Sequence, residues 1–306
     1  MLPVACCVLC VVCSPGSFGC QSVSQGRTPD MKPLKAYENV DFLKTDVCRP
    51  VRLQLELLHP EVVMASHQVR STIVLFGSAR IPDPERARTE LAMAEQNLTG
   101  NPESGEMQFR RDVAREMVKL SHYYNVAREF ARVVSQCCQD GSKCEYVIMT
   151  GGGGGIMEAG NRGADDAGAK SVGLNISLPM EQQPNPYVTP ELCFEFHYFS
   201  IRKMHFLLRA KALCGFPGGY GTLDELFETL TLISTNKIHR IPVILFGREF
   251  WEEIINWPAL VRRGVISPED IDIFSYCETA EEGWQLIQDF WRGRNGVAWR
   301  NRHKPG

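Results

Sequence analysis

An α/β fold with a doubly wound, mostly parallel sheet is what the order of segments along this chain of 306 residues predicts. Short apolar runs recur, each is followed by a turn signal, and segments of helix length lie between them. Two of the runs also lead directly into glycine-rich loops. Strands that alternate with helices form parallel sheets covered on both faces, so we expect one Rossmann-like domain rather than two small ones.

The strands are predicted from the short apolar runs, which suit parallel strands buried on both faces. They comprise residues 72–76, 146–149, 171–174, 212–216 and 242–246. Helices are predicted where apolar residues recur at helical spacing between and after these strands. They comprise residues 109–138, 156–167, 201–211, 223–235, 250–262 and 279–291. A polar insertion containing several prolines, residues 81–108, follows the first strand.

The glycine turn, residues 217–225, has the sequence Pro-Gly-Gly-Tyr-Gly-Thr-Leu-Asp-Glu and joins a predicted strand to a predicted helix. Glycines let the backbone approach an anion closely, and the free N–H groups at a helix start supply donors and a favourable dipole. The turn therefore predicts a phosphate site. The same residues also fit a capping box in which Thr222 is the N-cap and Glu225 reaches back to it, so Glu225 would be purely structural.

The five-glycine loop, residues 151–155, lies between the strand at 146–149 and a second predicted helix. Such a run costs backbone entropy, and a packed domain keeps it only where the backbone needs it. Ligand contact is the favoured explanation, and a flexible linker is the alternative. The dinucleotide pattern G-x-G-x-x-G fails because position 156 is Ile in one register and position 157 is Met in the other, so NAD is not predicted.

A basic pair, Arg202 and Lys203, lies on the predicted helix between the two loops. On spacing alone a solvated basic face is the favoured interpretation, whereas a helix-turn-strand return would bring Arg202 to the glycine turn. A third loop, residues 77–80, follows the first strand. Ligands of doubly wound sheets bind at the carboxyl ends of the strands, so we expect Ser78 at the nucleotide and Arg80 at the edge of the site.

These motifs together resemble the LOG family, the cytokinin riboside 5′-monophosphate phosphoribohydrolases formerly labelled lysine decarboxylases. The resemblance rests on the glycine turn, the Arg202 and Lys203 pair, and the sequence Thr-Gly-Gly-Gly-Gly-Gly-Ile-Met-Glu-Ala, and it covers about residues 71–290. It implies that Arg202 and Glu225 carry out hydrolysis of the base–ribose bond. The expected phosphate and nucleotide contacts are Gly152, Gly153, Gly155, Lys203, Gly218, Gly219, Gly221, Thr222 and Ser78.

The activity that the resemblance implies is hydrolysis of the N-glycosidic bond of a nucleoside 5′-monophosphate to free base and ribose 5-phosphate. The substrate would be AMP or a cytokinin riboside monophosphate, and no metal or organic cofactor is expected. Two other classes stay open. One is a non-catalytic nucleotide sensor or carrier on the same fold, and the other is a PLP-dependent lysine decarboxylase, which would need Lys203 as its Schiff-base lysine. Relatives suggest a homodimer or a larger homo-oligomer.

Composition argues against several partners and against a metal. A net charge of −3 without a basic block gives nucleic acid little to bind. The apolar run at residues 2–12 is too short to span a bilayer and lacks a preceding positive charge, so no membrane partner is expected. Cys7, Cys10 and Cys13 have iron–sulfur spacing, but the next ligand would fall at Ser17. Scattered thiols in apolar runs indicate the cytoplasm.

The expected domain organisation has three parts. Residues 1–70 form an N-terminal extension whose start we expect to be disordered or misassigned, with Met31 or Met64 as the alternative start. Residues 71–291 form the nucleotide-binding catalytic domain. Residues 292–306 form a short basic tail, interpreted as a solvated terminus. Because residues 1–70 and 81–108 distinguish the chain from shorter plant-type members, the resemblance does not assign the base.

Overall fold

The computed structural model describes residues 33–139, 144–177 and 183–293. The chain divides into two compact units, Met1–Thr45 and Asp46–Gly306. The predictions made for residues 1–32, including the apolar run and the Cys7, Cys10 and Cys13 spacing, lie outside the described residues. The same holds for residues 294–306 of the predicted basic tail.

The described part of the first unit contains one short helix. A 3₁₀ turn, Ala36–Glu38, precedes helix α1, Val40–Leu43. The side chain of Asn39 caps α1 by accepting a hydrogen bond from the backbone N–H of Phe42 at 3.0 Å. Asparagine is a preferred N-cap residue because its short side chain reaches the unpaired amides of the first turn.

The second unit is built on a seven-stranded sheet in which every neighbouring pair is parallel. The spatial order is β4-β3-β2-β1-β5-β6-β7, so the chain winds outward in both directions from β1 and β5. This order confirms the predicted doubly wound α/β fold. The strands are β1 (Thr72–Phe76), β2 (Val147–Thr150), β3 (Ser171–Ile176), β4 (Cys193–Phe196), β5 (Ala210–Gly215), β6 (Val243–Phe246) and β7 (Phe274–Cys277).

Helices cover both faces of the sheet. They are α2 (Arg49–Ser66), α3 (Pro84–Gly100), α4 (Gly105–Leu120), α5 (His122–Cys138), α6 (Ile156–Asp166), α7 (Phe199–Leu208), α8 (Tyr220–Ser234), α9 (Arg248–Ile254), α10 (Trp257–Arg262) and α11 (Ala280–Trp291). No helix of the described ranges is both long enough and apolar enough to cross a membrane. The seven cysteines in these ranges are all free thiols.

Alternate residues of β1 belong to two separate hydrophobic clusters, one on each face of the sheet. Val74 and Phe76 pack in the cluster that contains residues of α7, α8 and α9. Ile73 and Leu75 pack in the cluster that contains residues of α5, α6 and α11. Because successive side chains of a strand point to opposite faces, a strand buried on both sides is mostly apolar, and in β1 only Thr72 is polar.

Strands β4 and β7 are the two elements of the sheet that the apolar runs did not predict. They are the edge strands, and each keeps partly exposed positions among its buried ones. A strand with one solvated side alternates in polarity instead of forming a continuous apolar run. Unbroken apolar runs therefore occur in the five inner strands and not in the two outer ones.

Several predicted helix boundaries also differ from the structure. The segment predicted as one helix over residues 109–138 is two helices, α4 and α5, which break at Ser121. The polar insertion contains helix α3, which packs along α4. Asp83 caps α3 by accepting from two backbone amides, and Pro84 occupies the first helical position, where its missing N–H costs nothing. No structure is predicted from the sequence for this polar insertion, and Pro84 starts a helix in it.

Three loops meet at the carboxyl ends of the central strands, next to the point where the strand order reverses. The backbone N–H of Ser78, after β1, donates to the carbonyl of Pro217, after β5, at 3.0 Å. The carbonyl of Ser78 accepts from the N–H of Ile156, after β2, at 3.1 Å. These bonds hold the three predicted loops together at the switch point, where ligands of doubly wound sheets bind.

Candidate active site

The glycine turn leads into α8 three residues earlier than the sequence predicted. Helix α8 begins at Tyr220, its N-cap is Gly219, and no side chain caps it. The predicted capping box with Thr222 as N-cap is therefore wrong. Thr222 lies within the first turn of the helix and Glu225 in the second, too far along the helix to cap its start. The Glu225 carboxylate therefore does not cap α8.

The start of α8 presents a row of unpaired backbone donors. The first helical hydrogen bond runs from Leu223 N to the Gly219 carbonyl at 3.0 Å. Within the ranges that the structure describes, the amides of residues 218–222 donate to no protein acceptor. Gly219, Tyr220 and Gly221 are exposed, so solvent reaches these donors. Unpaired amides together with the positive end of a helix dipole are the features through which helix starts bind anions, so this turn is a candidate anion site.

Gly218 and Thr222 pack directly against each other within this turn. A Cβ atom at Gly218 would collide with the Oγ1 and Cβ atoms of Thr222, so only glycine fits there. Thr222 itself is buried. By contrast, a Cβ at Gly219 or Gly221 would meet no atom within 4 Å. Gly218 thus fixes the shape of the turn, whereas Gly219 and Gly221 leave open space above the amides.

The five-glycine loop is held by hydrogen bonds to the folded domain and is not a flexible linker. The buried side chain of Asn185 donates from Nδ2 to the carbonyls of Gly152 at 3.1 Å and Gly153 at 2.9 Å. Gly152 and Gly155 have positive φ angles of 74° and 64°. A Cβ at Gly152 would also collide with the side chain of Asn175. Both the conformation and the space therefore demand glycine at residue 152.

One backbone amide of the five-glycine loop donates to a protein acceptor, whereas others have no acceptor among the described residues. Gly152 N donates to Thr150 Oγ1 at 3.0 Å. Among the residues with described positions, no acceptor pairs with the amides of Gly153, Gly154 and Gly155. Of the predicted contacts in this loop, Gly153 and Gly155 can offer donors to a ligand. Gly152 instead shapes the loop.

A buried network of asparagines anchors this loop, and sequence reasoning did not find it. Asn161 Oδ1 accepts from Thr150 Oγ1 at 2.7 Å and from Asn185 Nδ2 at 2.9 Å. Asn161 Nδ2 donates to Ser171 Oγ at 3.0 Å. Buried amides need such partners, because an unpaired one costs free energy. The sequence offers no local signal for this role, since asparagine is equally common in solvated loops.

Arg202 lies beside the five-glycine loop. Its Nε donates to the Leu174 carbonyl, in strand β3, at 2.8 Å, and its guanidinium lies 5.2 Å from the ring centroid of Phe206. A Cβ at Gly151 would come within 2.6 Å of Nη2, so the missing side chain of Gly151 makes room for the guanidinium. Burial lowers the pKa of Arg202, an effect that the charges of Glu225 and Glu195 oppose.

This placement overturns the interpretation of Arg202 as part of a solvated basic face. Helix α7 returns into β5, as the alternative reading required, and the guanidinium is largely inside the protein. Nη1 and Nη2 of Arg202 have no hydrogen-bond partner in the described part of the chain. They remain available to a ligand at the carboxyl end of the sheet.

Lys203 is surrounded by carboxylates of α8. Its Nζ lies 2.8 Å from Asp224 Oδ2, 2.8 Å from Glu228 Oε2 and 3.9 Å from Glu225 Oε1. Burial lowers the pKa of Lys203, but hydrogen bonds to Asp224 and Glu228 outweigh it, so the net pKa is raised. The ammonium is therefore a fixed cation held within the protein. Because Lys203 lies next to Glu225, its charge lowers the pKa of that carboxyl group. This electrostatic effect fits its position better than direct contact with a phosphate does.

Glu225 is the most perturbed carboxyl group of the site. It is only 8% exposed, and burial raises its pKa from 4.5 to about 7. Lys203 and Arg202 lower the pKa, whereas Glu228 and Asp224 raise it. A carboxyl group poised near neutral pH, in a site with cations and unpaired amides, is the arrangement expected of a general base.

Ser78 mainly ties the loops together. Its Oγ accepts from Arg80 N at 3.0 Å, and its backbone makes the two bonds to Pro217 and Ile156. Arg80 is exposed, as expected for the edge of the site. No group of three or more His, Cys, Asp or Glu residues suited to a metal ion occurs in the described ranges.

Comparisons with known proteins agree with these motifs. The family model described as "Possible lysine decarboxylase" matches residues 157–287. The probable cytokinin riboside 5′-monophosphate phosphoribohydrolase LOGL3 of Oryza sativa subsp. japonica is 26% identical over 170 residues, which cover 51% of this chain and 76% of that protein. The cytokinin riboside 5′-monophosphate phosphoribohydrolase LOG3 of Arabidopsis thaliana is 26% identical over 148 residues, covering 47% and 67%.

A solved structure, the Moco carrier protein from Chlamydomonas reinhardtii, is similar over 73% of this chain and 98% of its own, with 15% identity and a TM-score of 0.42. The region matched by the family model contains the helix with Arg202 and Lys203, the glycine turn and Glu225. These matches confirm the resemblance to the LOG family that the sequence motifs indicated, with a family model described as possible lysine decarboxylase and relatives named as cytokinin riboside 5′-monophosphate phosphoribohydrolases.

Proposed function

We propose that the protein hydrolyses the N-glycosidic bond of a nucleoside 5′-monophosphate, releasing the free base and ribose 5-phosphate. The observation that carries the proposal is Glu225, a buried carboxyl group with its pKa raised to about 7, next to Lys203 and under the influence of Arg202. The two relatives named above as phosphoribohydrolases support the same activity.

The 5′-phosphate is proposed to bind at the glycine turn. Gly218, Gly219, Gly221 and Thr222 supply unpaired amides at the start of α8. Gly153 and Gly155 add amides from the five-glycine loop. Each hydrogen bond to a charged group contributes roughly 1.5–3 kcal/mol, so three such bonds would supply a large part of micromolar affinity. Nucleosides without the phosphate should therefore bind weakly.

Glu225 is proposed to act on the water and on the developing cation. As the bond between C1′ and the base nitrogen breaks, the sugar becomes an oxocarbenium-like ion. The ionised Glu225 carboxylate stabilises this charge and takes a proton from the attacking water, whose oxygen bonds to C1′. The electron pair of the broken bond stays on the base nitrogen, which then takes up a proton. Arg202 orients the ribose or phosphate through its free Nη atoms.

The cations explain how Glu225 can be ionised near neutral pH although it is buried. Burial alone disfavours the carboxylate. Both Lys203 and Arg202 lower the pKa of Glu225 and thus partly offset that effect. We therefore assign Lys203 an electrostatic role on Glu225, in addition to the nucleotide contact that the family resemblance implied.

The environment of Lys203 does not suit the PLP-dependent decarboxylase alternative. A lysine that forms a Schiff base must react as a neutral amine, which requires a lowered pKa. Two carboxylates bind the Lys203 ammonium at 2.8 Å, and the net shift of its pKa is upward. Incubating the protein with PLP and lysine should therefore produce no carbon dioxide, which a manometric or coupled assay can measure.

The direct test is base release from a panel of nucleoside monophosphates. AMP, other purine and pyrimidine monophosphates, a cytokinin riboside monophosphate and adenosine would each be incubated with the protein, and base and ribose 5-phosphate would be quantified. Glu225→Gln keeps the shape of the side chain and should lower kcat by about a hundredfold to ten-thousandfold, the range for loss of a general base. Arg202→Met should also lower it strongly.

The matched control is Glu253→Gln, the same chemical change at an exposed residue of α9. It should retain wild-type kcat. If wild type binds AMP but releases no base from any monophosphate, the chain is a nucleotide sensor or carrier instead. If Glu225→Gln is as active as wild type, Glu225 has no catalytic role. Light scattering of the same preparation tests the expected homodimer or larger assembly.

A further inference from the structure

Helix α2 runs along α7, the helix that carries Arg202 and Lys203. The sequence had placed α2 in an extension that precedes the catalytic domain. In the structure, α2 belongs to the same compact unit as the sheet, and its residue Met64 lies in the hydrophobic cluster that also contains Phe206 of α7. Polar side chains between the two helices add contacts of a more specific kind.

Glu56 of α2 binds the amino-terminal end of α7. Its two carboxylate oxygens accept hydrogen bonds from the backbone amides of His197 at 2.9 Å and Tyr198 at 3.1 Å. Tyr198 is the N-cap of α7, and no side chain of its own segment caps the helix. A carboxylate at this end pairs otherwise unsatisfied amides and interacts favourably with the helix dipole. Glu56 thus acts as a cap for α7, although the two are far apart in sequence.

Arg202 lies one turn from this cap. Its backbone N–H donates to the Tyr198 carbonyl at 3.2 Å, which is the first hydrogen bond of α7. The rotation and depth of that first turn decide where the Arg202 guanidinium lies between the Leu174 carbonyl and Gly151. Glu56 therefore fixes the backbone from which Arg202 projects.

The other end of α7 has separate contacts with α2. Glu61 pairs with Arg209 through two hydrogen bonds of 2.7 and 3.2 Å. In the middle, the buried His205 places Nε2 3.0 Å from the Glu56 carbonyl oxygen. The ion pair of Glu61 follows the last helical residue, Leu208, and is remote from Arg202 along the helix. Glu61, whose Oε1 also lies 3.6 Å from His205 Nδ1, thus contacts the carboxyl-terminal half of α7, whereas the Glu56 side chain binds its amino-terminal end.

We propose that Glu56 is a positioning residue for the proposed hydrolysis, which sets Arg202 through its bonds to the start of α7. This inference rests on the function proposed above. The hydrogen bonds of the Glu56 side chain run to the backbone amides of residues 197–198 and to no residue of the proposed site in the described ranges. A displacement of a catalytic group by about 1 Å can cost about a hundredfold in rate.

The test compares Glu56→Ala, Glu56→Gln and Glu61→Ala with wild type. Each would be measured for kcat and KM with the best monophosphate, for Tm, and for hydrogen exchange of the amides of His197 and Tyr198. Glu56→Ala should lower kcat by about ten- to a hundredfold and expose both amides to exchange. Glu56→Gln keeps one acceptor oxygen and should restore activity to an intermediate level. Glu61→Ala should lower Tm but keep kcat within about threefold.

Three results would overturn the proposal. One is a Glu56→Ala protein that is folded and has wild-type kcat. Another is an equal loss of kcat in Glu61→Ala, which would indicate general loosening of α7. If Glu56→Ala does not fold, Glu56→Gln decides, and its wild-type kcat with faster amide exchange would refute the role. A wild type that cleaves no monophosphate refutes the proposed function itself and the inference with it, and this outcome is visible before any variant is compared.

Discussion

Replacing Glu225 by glutamine should stabilise the folded protein at alkaline pH while it strongly slows hydrolysis. The pKa of Glu225 is about 7 in the folded protein against 4.5 for the ordinary side chain, because the carboxyl group is buried. The folded state therefore holds a proton that the unfolded state releases. Between these two pKa values, stability falls as the pH rises, since the unfolded state binds fewer protons.

The size of the effect follows from the shift. A pKa difference of one unit corresponds to about 1.4 kcal/mol, so the shift of Glu225 costs the folded state about 3 kcal/mol once the carboxylate is ionised. Roughly 2.5 kcal/mol of this cost develops between about pH 5 and about pH 8. Glutamine cannot ionise and avoids the cost. The stability gain of Glu225→Gln over wild type should therefore grow by about that amount across the same interval.

Urea denaturation of wild type and Glu225→Gln at the two pH values measures this difference. Glu253→Gln is the control, because an exposed substitution of this kind usually changes stability by less than about 0.5 kcal/mol. A gain of Glu225→Gln that is the same at both pH values, or larger at the acidic one, would refute the raised pKa. If Glu225→Gln is more stable than wild type and less active, the Glu225 carboxylate serves the reaction and lowers the stability of the fold.

The remaining predictions concern the pH profile and the glycine loop. The kcat/KM of wild type should rise through about pH 7 as Glu225 loses its proton, and Lys203→Met should move this rise to higher pH because Lys203 lowers the pKa of Glu225. An unmoved profile would contradict the electrostatic role of Lys203. Gly152→Ala should destabilise the fold by about 1–3 kcal/mol in urea denaturation, because its φ is positive and Asn175 blocks a Cβ. Gly154→Ala, whose Cβ would make only ordinary contact at 3.7 Å, should cost clearly less.

The inner part of the fold was predictable from sequence because its elements are defined by local patterns. The run of residues 72–76 coincides with β1, since a strand buried on both faces is mostly apolar, as residues 73–76 are. The edge strands β4 and β7 escaped prediction because each is partly solvated. The start of α8 was misplaced because Thr222 and Glu225 have the residue types of a capping box, while the backbone turns into the helix at Gly219.

The site was predictable in its residue types but not in its arrangement. Sequence motifs and their family resemblance selected Arg202, Glu225 and the two glycine loops. The different roles of the glycines were not visible in the sequence, because they depend on contacts such as the hydrogen bond from Asn185 Nδ2 to the Gly152 carbonyl, whose two residues are far apart in sequence. The same holds for Lys203, whose carboxylate neighbours lie a turn apart on another helix.

The sequence by itself determined the doubly wound sheet and the two glycine loops that follow its strands, and its resemblance to the LOG family selected Arg202 and Glu225 as site candidates. The sheet and the loops depend on local periodicity and on glycine's conformational freedom, which neighbours along the chain do not alter. Only the tertiary structure decided that Glu225 is a buried carboxyl group near Arg202 and Lys203, and that Glu56 caps α7. Burial and charge act through space, so a pKa or a cap is fixed by residues that the fold brings together.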